Sequence, residues 1–148
     1  MNNLITDYFV CESQIVDRIK AQIPELKSVS TPFNLEDALE SSQNSPAVYV
    51  IYAGDVVNGN SVGNGESRTI SQRWLIVLAV RKANSQLQQT SSIRGDAGVI
   101  IPKLLNALQG WKPNAACRNI ARVPGAPPPA ASSSFAYFPY LFETVIIT

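Results

Sequence analysis

The amino-acid sequence predicts an α+β fold: a single mixed or antiparallel β-sheet, two to three helices packed mainly on one face, and a long protruding β-hairpin. Segments with helical periodicity alternate with runs of β-branched and aromatic residues. Two of those runs flank a stretch rich in Gly and Asn, as expected for a hairpin. The chain has 148 residues, the length of one domain, so residues 1–148 are expected to form a single unit.

The first part of the chain is predicted to form two helices joined by a short strand. Apolar residues recur every three or four positions over residues 4–23, and Pro24 ends this amphipathic helix. Residues 27–31 are expected to be extended. Asn34 resembles an N-cap, so a second, short helix should follow it.

The hairpin is predicted over residues of about 45–82. Residues 47–53 are apolar at every position, so both faces of this strand should be covered. Residues 69–81 alternate as its partner strand, with polar side chains in the early half. That polarity predicts that the early half of the strand over residues 69–81 leaves the core as an exposed arm. Residues 54–66 would form the tip of this arm.

A third helix is predicted over residues 91–109, with Gly110 as its C-terminal stop. Pro102 lies inside this segment and lacks the N–H that a helix interior needs. The sequence therefore predicts either a kink at this point or a helix that starts nearer to Pro102.

The end of the chain is predicted to contain two strands and a loop. A short strand is expected over residues 119–123, and a loop rich in Pro and Ser follows over residues 124–134. Residues 135–148 are expected to form a long closing strand. Pro139 cannot donate to a β-ladder, so the strand should be bulged or lie at an edge there.

The composition excludes several classes of function. The chain has no His, which excludes Ser-His-Asp and Cys-His catalytic pairs and His-ligated zinc. Net charge is +1 with 16% charged residues, which argues against nucleic acid as the main ligand. The low charge fits a surface that becomes buried in an assembly and equally fits an ordinary monomer. The longest apolar run is too short to span a membrane, and no signal peptide is expected.

The two cysteines, Cys11 and Cys117, are expected to be reduced in a cytosolic setting. Cys11 falls on the apolar side of the first predicted helix, so a buried small side chain is favoured over a reactive thiol.

No motif predicts a catalytic, cofactor-binding or metal-binding site. The Gly-rich stretch ends with Glu66 after Gly65, where a phosphate-binding loop needs Lys. Glu36, Asp37 and Glu40 lie near the start of a helix, where the helix dipole favours acidic side chains. The sequence therefore predicts no enzyme activity and no cofactor.

The residues predicted to contact other subunits lie on the hairpin and the closing strand. They are Arg68, Arg73, Tyr140, Asp55 and Glu66. Arg and Tyr are enriched in protein interfaces, and the two carboxylates flank the Gly-rich tip. Tyr137 and Phe142 are expected in the core instead.

Six segments in this order resemble one family along nearly the whole chain. They are LEDAL (35–39), PAVYV (46–50), QRWLIV (72–77), GDAG (95–98), LLNALQGWKP (104–113) and FAYFPYLFET (135–144). Together they resemble the tail terminator proteins of bacteriophages and prophages, particularly the phage Mu-like group. That family has no catalytic residues to transfer.

The resemblance implies a structural virion protein of the tail and neck that is assembled in the host cytoplasm. It implies a ring, usually a homohexamer, that caps the head-proximal end of the tail tube, ends polymerisation and offers a surface for head–tail joining. Its partners would be copies of itself, the tail tube protein and the head–tail connector, with DNA only passing through the lumen and no membrane. Two alternatives remain open: another neck or tail-completion protein of related fold, or a small-ligand or hydrolytic domain that uses carboxylates.

Overall fold

The computed structural model describes residues 5–62, 67–82 and 90–147, and only the backbone at residues 59–62, 67–68 and 90–92. In chain order the elements are α1 (Val10–Gln22), β1 (Ser28–Ser30), α2 (Leu35–Ser41), β2 (Ala47–Val62), β3 (Ser67–Arg81), α3 (Thr90–Leu108), β4 (Ala121–Arg122), β5 (Ala130–Ala131) and β6 (Phe135–Ile147). The sheet order is β1-β2-β3-β6-β4, with β5 also paired to β6. Because β1 is parallel to β2 and the other pairs are antiparallel, the predicted mixed sheet and α+β class are confirmed.

Both faces of the central strands are buried, as the uninterrupted apolar run in β2 predicts. One cluster, which includes Val48, Trp74 and Phe142, packs with the buried sides of α1 and α3. We call this side of the sheet the helix face. The other cluster includes Tyr49 and Tyr137 and packs with Ala38 of α2 on the opposite face. Two helices therefore lie on one face and the shortest helix on the other.

Helix α1 begins later than the apolar periodicity predicts. The Asp7 carboxylate accepts the Phe9 N–H at 3.0 Å, and the Asp7 carbonyl accepts the Val10 N–H at 3.2 Å. These bonds hold a turn before the helix, because an Asp side chain offers the backbone an alternative to helical hydrogen bonds. At α2 the predicted cap is confirmed: the Asn34 side-chain oxygen accepts the Asp37 N–H at 2.9 Å.

Helix α3 is continuous from Thr90 through Pro102 to Leu108, so the predicted later start is wrong. Ala97 and Ile100 are buried on the helix face and hold the first half of α3 against the sheet. Their burial offsets the cost of an interior proline, which is about 3 kcal/mol. Gly110 has φ +79° and ends the helix as predicted.

The early half of β3 does not leave the core. β3 pairs with β6 from Arg81 as far as Thr69, which lies opposite Ile147, and Ser71 and Gln72 are buried. The polar side chains are satisfied inside the fold: the Gln72 amide donates to the Tyr8 carbonyl at 2.7 Å. β2 also continues as a strand to Val62, through most of the stretch predicted as a tip.

The part of the hairpin that extends past β6 is therefore shorter than the sequence predicts. Beyond the Thr69–Ile147 pair, Ser61 lies opposite Arg68 and Val62 opposite Ser67. We call residues 58–62 and 67–68 the projecting end of the hairpin.

Pro139 lies in β6, which is an interior strand of the sheet. Its backbone nitrogen nevertheless faces a gap with no paired strand, which agrees with the expected edge position. The register between β3 and β6 is continuous and places Pro139 opposite Val77. The Leu141 carbonyl accepts the Val123 N–H at 2.9 Å, on the side away from β3. Because backbone groups alternate along a strand, the Pro139 nitrogen points to that same side, between β4 and β5. The missing N–H therefore removes no ladder bond.

The 119–123 segment forms the shorter β4, and the 124–134 loop contains β5, which the sequence analysis does not predict. Within the part of the chain that the structure describes, no helix is both long and apolar enough to cross a membrane.

Candidate assembly surface

A bulge in β2 turns Asp55 toward the helix face. The register changes from Tyr52 opposite Trp74 to Asp55 opposite Gln72, so β2 carries one extra residue. Gly54 sits in this bulge with φ +92°, a conformation that favours glycine. The alternation of β2 is therefore reversed beyond the bulge, and Asp55 lies on the same face as Tyr52.

Asp55 joins the hairpin to the segment before α1. Its carboxylate accepts hydrogen bonds from the hydroxyls of Tyr8 and, at 2.9 Å, of Tyr52. These two donors lower the pKa of Asp55, first Tyr8 and then Tyr52. Burial, followed by the Asp55 hydrogen bond, raises the pKa of both tyrosines, so the phenols remain protonated donors at neutral pH.

Four aromatic rings run from this hydrogen-bonded cluster into the core. Successive ring centres lie 5.4 Å apart for Tyr8 and Phe9, 5.0 Å for Phe9 and Tyr52, and 5.3 Å for Tyr52 and Trp74. All three contacts are edge-to-face, a favourable arrangement for aromatic pairs. The series joins Phe9, which is 48% exposed, to the fully buried Trp74.

An open groove of about 640 Å³ lies beside these rings. Its apolar lining includes Phe9, Pro32, Phe33, Tyr52 and Ala53, and we call it the aromatic groove. Phe33 is 85% exposed. Exposed apolar surface of this kind, next to a rigid floor, is typical of a site for protein contact.

Arg73, one of the predicted interface residues, is engaged within the sheet. Its Nε lies 3.3 Å from Oε2 of Glu143, its cross-strand neighbour on β6. The pair lies on the opposite face from the aromatic groove, and the Arg73 side chain remains 41% exposed.

Tyr140 is half-buried on the helix face of β6. The guanidinium carbon of Arg122 lies 4.9 Å from the centre of its ring. Burial raises the pKa of Tyr140, and the nearby Arg122 opposes this shift. The phenol ring is therefore covered by a cation from its own chain.

The structure does not bring the five predicted residues into one site. Asp55 lies on the helix face next to the aromatic groove, whereas Arg73 lies on the opposite face. Arg68 is placed through its backbone at the projecting end, and Glu66 lies outside the described residues.

Sequence analysis missed Phe9 and Phe33. Phe33 stands between Pro32 and the helix cap Asn34, so neither a strand nor a helix face is available to bury it. A large apolar residue in a short loop is a sequence signal for an exposed contact residue. Phe9 gave no such signal, because the periodicity predicts a helix over residues 4–23 that includes Phe9, whereas α1 begins only at Val10.

The acidic residues form no metal-binding cluster in the part of the chain that is described. Among residues 5–62, 67–82 and 90–147, no three His, Cys, Asp or Glu residues are placed to hold a metal ion, and every carboxylate keeps some exposure. Glu36, Asp37 and Glu40 are exposed on α2, as expected for charges at a helix start.

The structure thus combines an open mixed sheet with an exposed aromatic groove beside its first helix. A sequence model of the family described as "Phage tail terminator protein" matches residues 5–148. The chain therefore belongs to the phage tail terminator family and is a structural protein of the virion tail.

Comparison with solved structures supports the fold. One chain, from a structure described as "Virion of native gene transfer agent (GTA) particle", has a TM-score of 0.54 to this protein at 10% sequence identity. The match covers 96% of this chain and 100% of the other. No curated protein sequence matches this chain.

Proposed function

We propose that this protein forms a ring, a homohexamer, that caps the head-proximal end of the tail tube, stops its polymerisation and offers a surface for head–tail joining. The observation that carries the proposal is the family match, which extends from residue 5 to residue 148. In this proposal residues 1–148 act as one unit, with the hairpin of residues of about 45–82, of which only the end projects past β6, and the Pro/Ser-rich loop 124–134.

A closed ring of identical subunits needs two different, complementary patches on each subunit. The aromatic groove supplies one patch. The hairpin of the neighbouring subunit supplies the other, because Val57 is 58% exposed just before the projecting end. Burying apolar side chains from both patches drives association, since each Å² removed from water contributes about 25 cal/mol.

The predicted interface residues act at different places on the subunit, since Asp55 lies next to the aromatic groove and Arg73 lies on the opposite face. Asp55 holds the groove and hairpin in a fixed relation, while Arg73, Tyr140, Arg68 and Glu66 contribute polar contacts to the neighbouring subunit, the tube or the connector. Polar residues commonly form the rim of an apolar interface.

The tail tube protein and the head–tail connector are the two other proposed partners. DNA passes through the lumen without tight binding, and the net charge of +1 suits a conduit that must not retain it. The role is structural and includes no catalysis.

Negative-stain microscopy of the purified protein, alone and with tail tubes of the same phage, tests this proposal. We expect rings, or rings at one end of each tube. A protein that stays monomeric and leaves every tube end bare would refute the proposal. Binding to the connector but never to tubes would instead favour another neck or tail-completion protein of related fold.

A further inference from the structure

The two cysteines of the chain meet in the core. Cys11 lies in the first turn of α1, and Cys117 lies 106 residues later, between α3 and β4. Their Sγ atoms are 3.2 Å apart. The residues are 0% and 3% exposed, respectively, and both are present as thiols.

We propose that Cys11 and Cys117 form an intrachain disulfide after the virion leaves the host cell. Thiols stay reduced in the cytosol, where tails are assembled, whereas disulfides persist in oxidising surroundings such as those of released virions. The bond requires the two sulfur atoms to close to about 2.05 Å. The proposal rests on the virion location of the family and not on the ring.

The contacts around the pair hold both backbones in place. Cys117 forms a β-bridge with Ile146 of β6, and the next residue, Arg118, donates its N–H to the Val145 carbonyl at 3.0 Å. The Asn114 amide donates to the Gln14 side chain of α1 at 2.7 Å. The segment that carries Cys117 is thus tied to both α1 and β6, and these contacts keep the two sulfur atoms adjacent.

In this proposal Cys117 is the attacking thiol. The sulfur–sulfur contact with Cys11, aided by Asn114 and Thr144, lowers the pKa of Cys117 against the effect of burial. The same contact and burial raise the pKa of Cys11. The thiolate is the nucleophilic form of cysteine, so the pair contains one attacking sulfur and one that keeps its proton.

A hydroperoxide, small enough to reach a buried thiol, is the class of oxidant. The Cys117 thiolate attacks one peroxide oxygen, the O–O bond breaks, and the sulfur becomes a sulfenic acid while the departing hydroxide takes a proton. The Cys11 sulfur then attacks the Cys117 sulfur. The S–S bond forms, the S–O bond breaks, and the leaving hydroxide combines with the Cys11 proton as water. With hydrogen peroxide, two thiols are oxidised by two electrons and one peroxide is reduced to two waters.

Intact-mass measurement of the full chain tests this assignment, because it needs neither a variant nor assembly. The protein is kept under reductant or treated with equimolar hydrogen peroxide, and then digested for peptide mapping. We expect a loss of mass equal to two hydrogen atoms and a peptide that links Cys11 to Cys117. Tm should rise by roughly 5–15 °C, since the bond closes a long loop of the unfolded chain.

Two variants provide the matched controls. Cys11→Ala and Cys117→Ala should each lose the mass change and the rise in Tm on oxidation. Wild-type protein that gains oxygen at one sulfur, forms only dimers linked between chains, or still has both thiols free to react with an alkylating reagent after peroxide treatment would overturn the proposal. None of these outcomes depends on whether the protein forms rings.

Discussion

At the scale of single residues, Asp55 links a local backbone feature to the candidate assembly surface. Gly54 in the bulge turns Asp55 to the helix face, and the hydroxyls of Tyr8 and Tyr52 then bind its carboxylate. The carboxylate therefore fixes the ring of Tyr52, which is part of the floor of the aromatic groove.

The lowered pKa of Asp55 predicts a contribution to stability that depends on pH. The pKa of Asp55 is lower in the folded state than in the unfolded chain, where the pKa of Asp is about 3.9. The ionised carboxylate therefore stabilises the fold at every pH above that unfolded-state pKa. That contribution is lost as the pH falls from about 5 through the lowered, folded-state pKa. In Asp55→Asn this part of the acid sensitivity should disappear, which urea unfolding at pH 7 and pH 3 measures.

The matched control for Asp55→Asn is Asp17→Asn, which removes an exposed carboxylate from α1. It should keep the acid sensitivity of the wild type. Equal loss of unfolding free energy between pH 7 and pH 3 in the wild type and Asp55→Asn would show that the two hydroxyls do not stabilise the ionised form.

Sequence patterns predicted the structure well where it depends on residues close together in the chain. The Asn34 cap, the Gly110 stop and the burial of Tyr137 and Phe142 all follow from the sequence. The aromatic groove does not, because it joins Phe9 and Phe33 from separate segments. A single sequence carries no signal for how two distant loops meet.

At the scale of elements, the alternation over residues 69–81 predicts a strand close to the observed β3, Ser67–Arg81. The expectation that the polar early half leaves the core is wrong, because Ser71 and Gln72 are buried. Burial instead depends on β6, which extends as far as Ile147 opposite Thr69. Polarity alone cannot separate a solvated strand from a buried strand whose polar groups are satisfied by other segments of the chain.

The projecting end of the hairpin should be dispensable for folding and needed for assembly. The test replaces residues 59–68 with an Asn-Gly turn between Asn58 and Thr69. This keeps the hydrogen bond from the Asn58 amide to the Thr69 hydroxyl, which is 3.2 Å long. We expect Tm to change by only a few degrees, because stability depends weakly on loop length.

Size-exclusion chromatography with light scattering measures whether the projecting end is needed for assembly. The shortened chain should elute as a smaller species than the wild type at the same concentration. A shortened chain that fails to fold, as judged by circular dichroism, would contradict the placement of this segment outside the core. Unchanged assembly would contradict its role in subunit contact.

At the scale of the whole molecule, the protein has the features of a subunit that acts through contact. Its net charge is +1, its described carboxylates all keep some exposure, and its aromatic groove is supported by rings that continue into the core. The fold class could be predicted from composition and periodicity. The aromatic groove, which is the proposed contact surface, became visible only in the tertiary structure.

Phe33→Ala tests whether the aromatic groove is that surface. Because Phe33 is 85% exposed, its truncation should leave Tm nearly unchanged and reduce the assembled fraction at least several-fold. Val99→Ala is the matched control, since Val99 is 63% exposed on α3 and away from the groove lining. Equal assembly of Phe33→Ala and Val99→Ala would remove the groove from the interface.

The length of tail tubes polymerised in the presence of this protein tests the central claim most directly. Purified tube protein of the same phage is allowed to polymerise with the wild type, with Phe33→Ala or with no addition, and lengths are measured by electron microscopy. We predict that the wild type shortens the tubes and leaves a ring at one end, whereas Phe33→Ala gives tubes close to those without addition. Tubes of unchanged length with bare ends in the presence of the wild type would contradict a terminating cap.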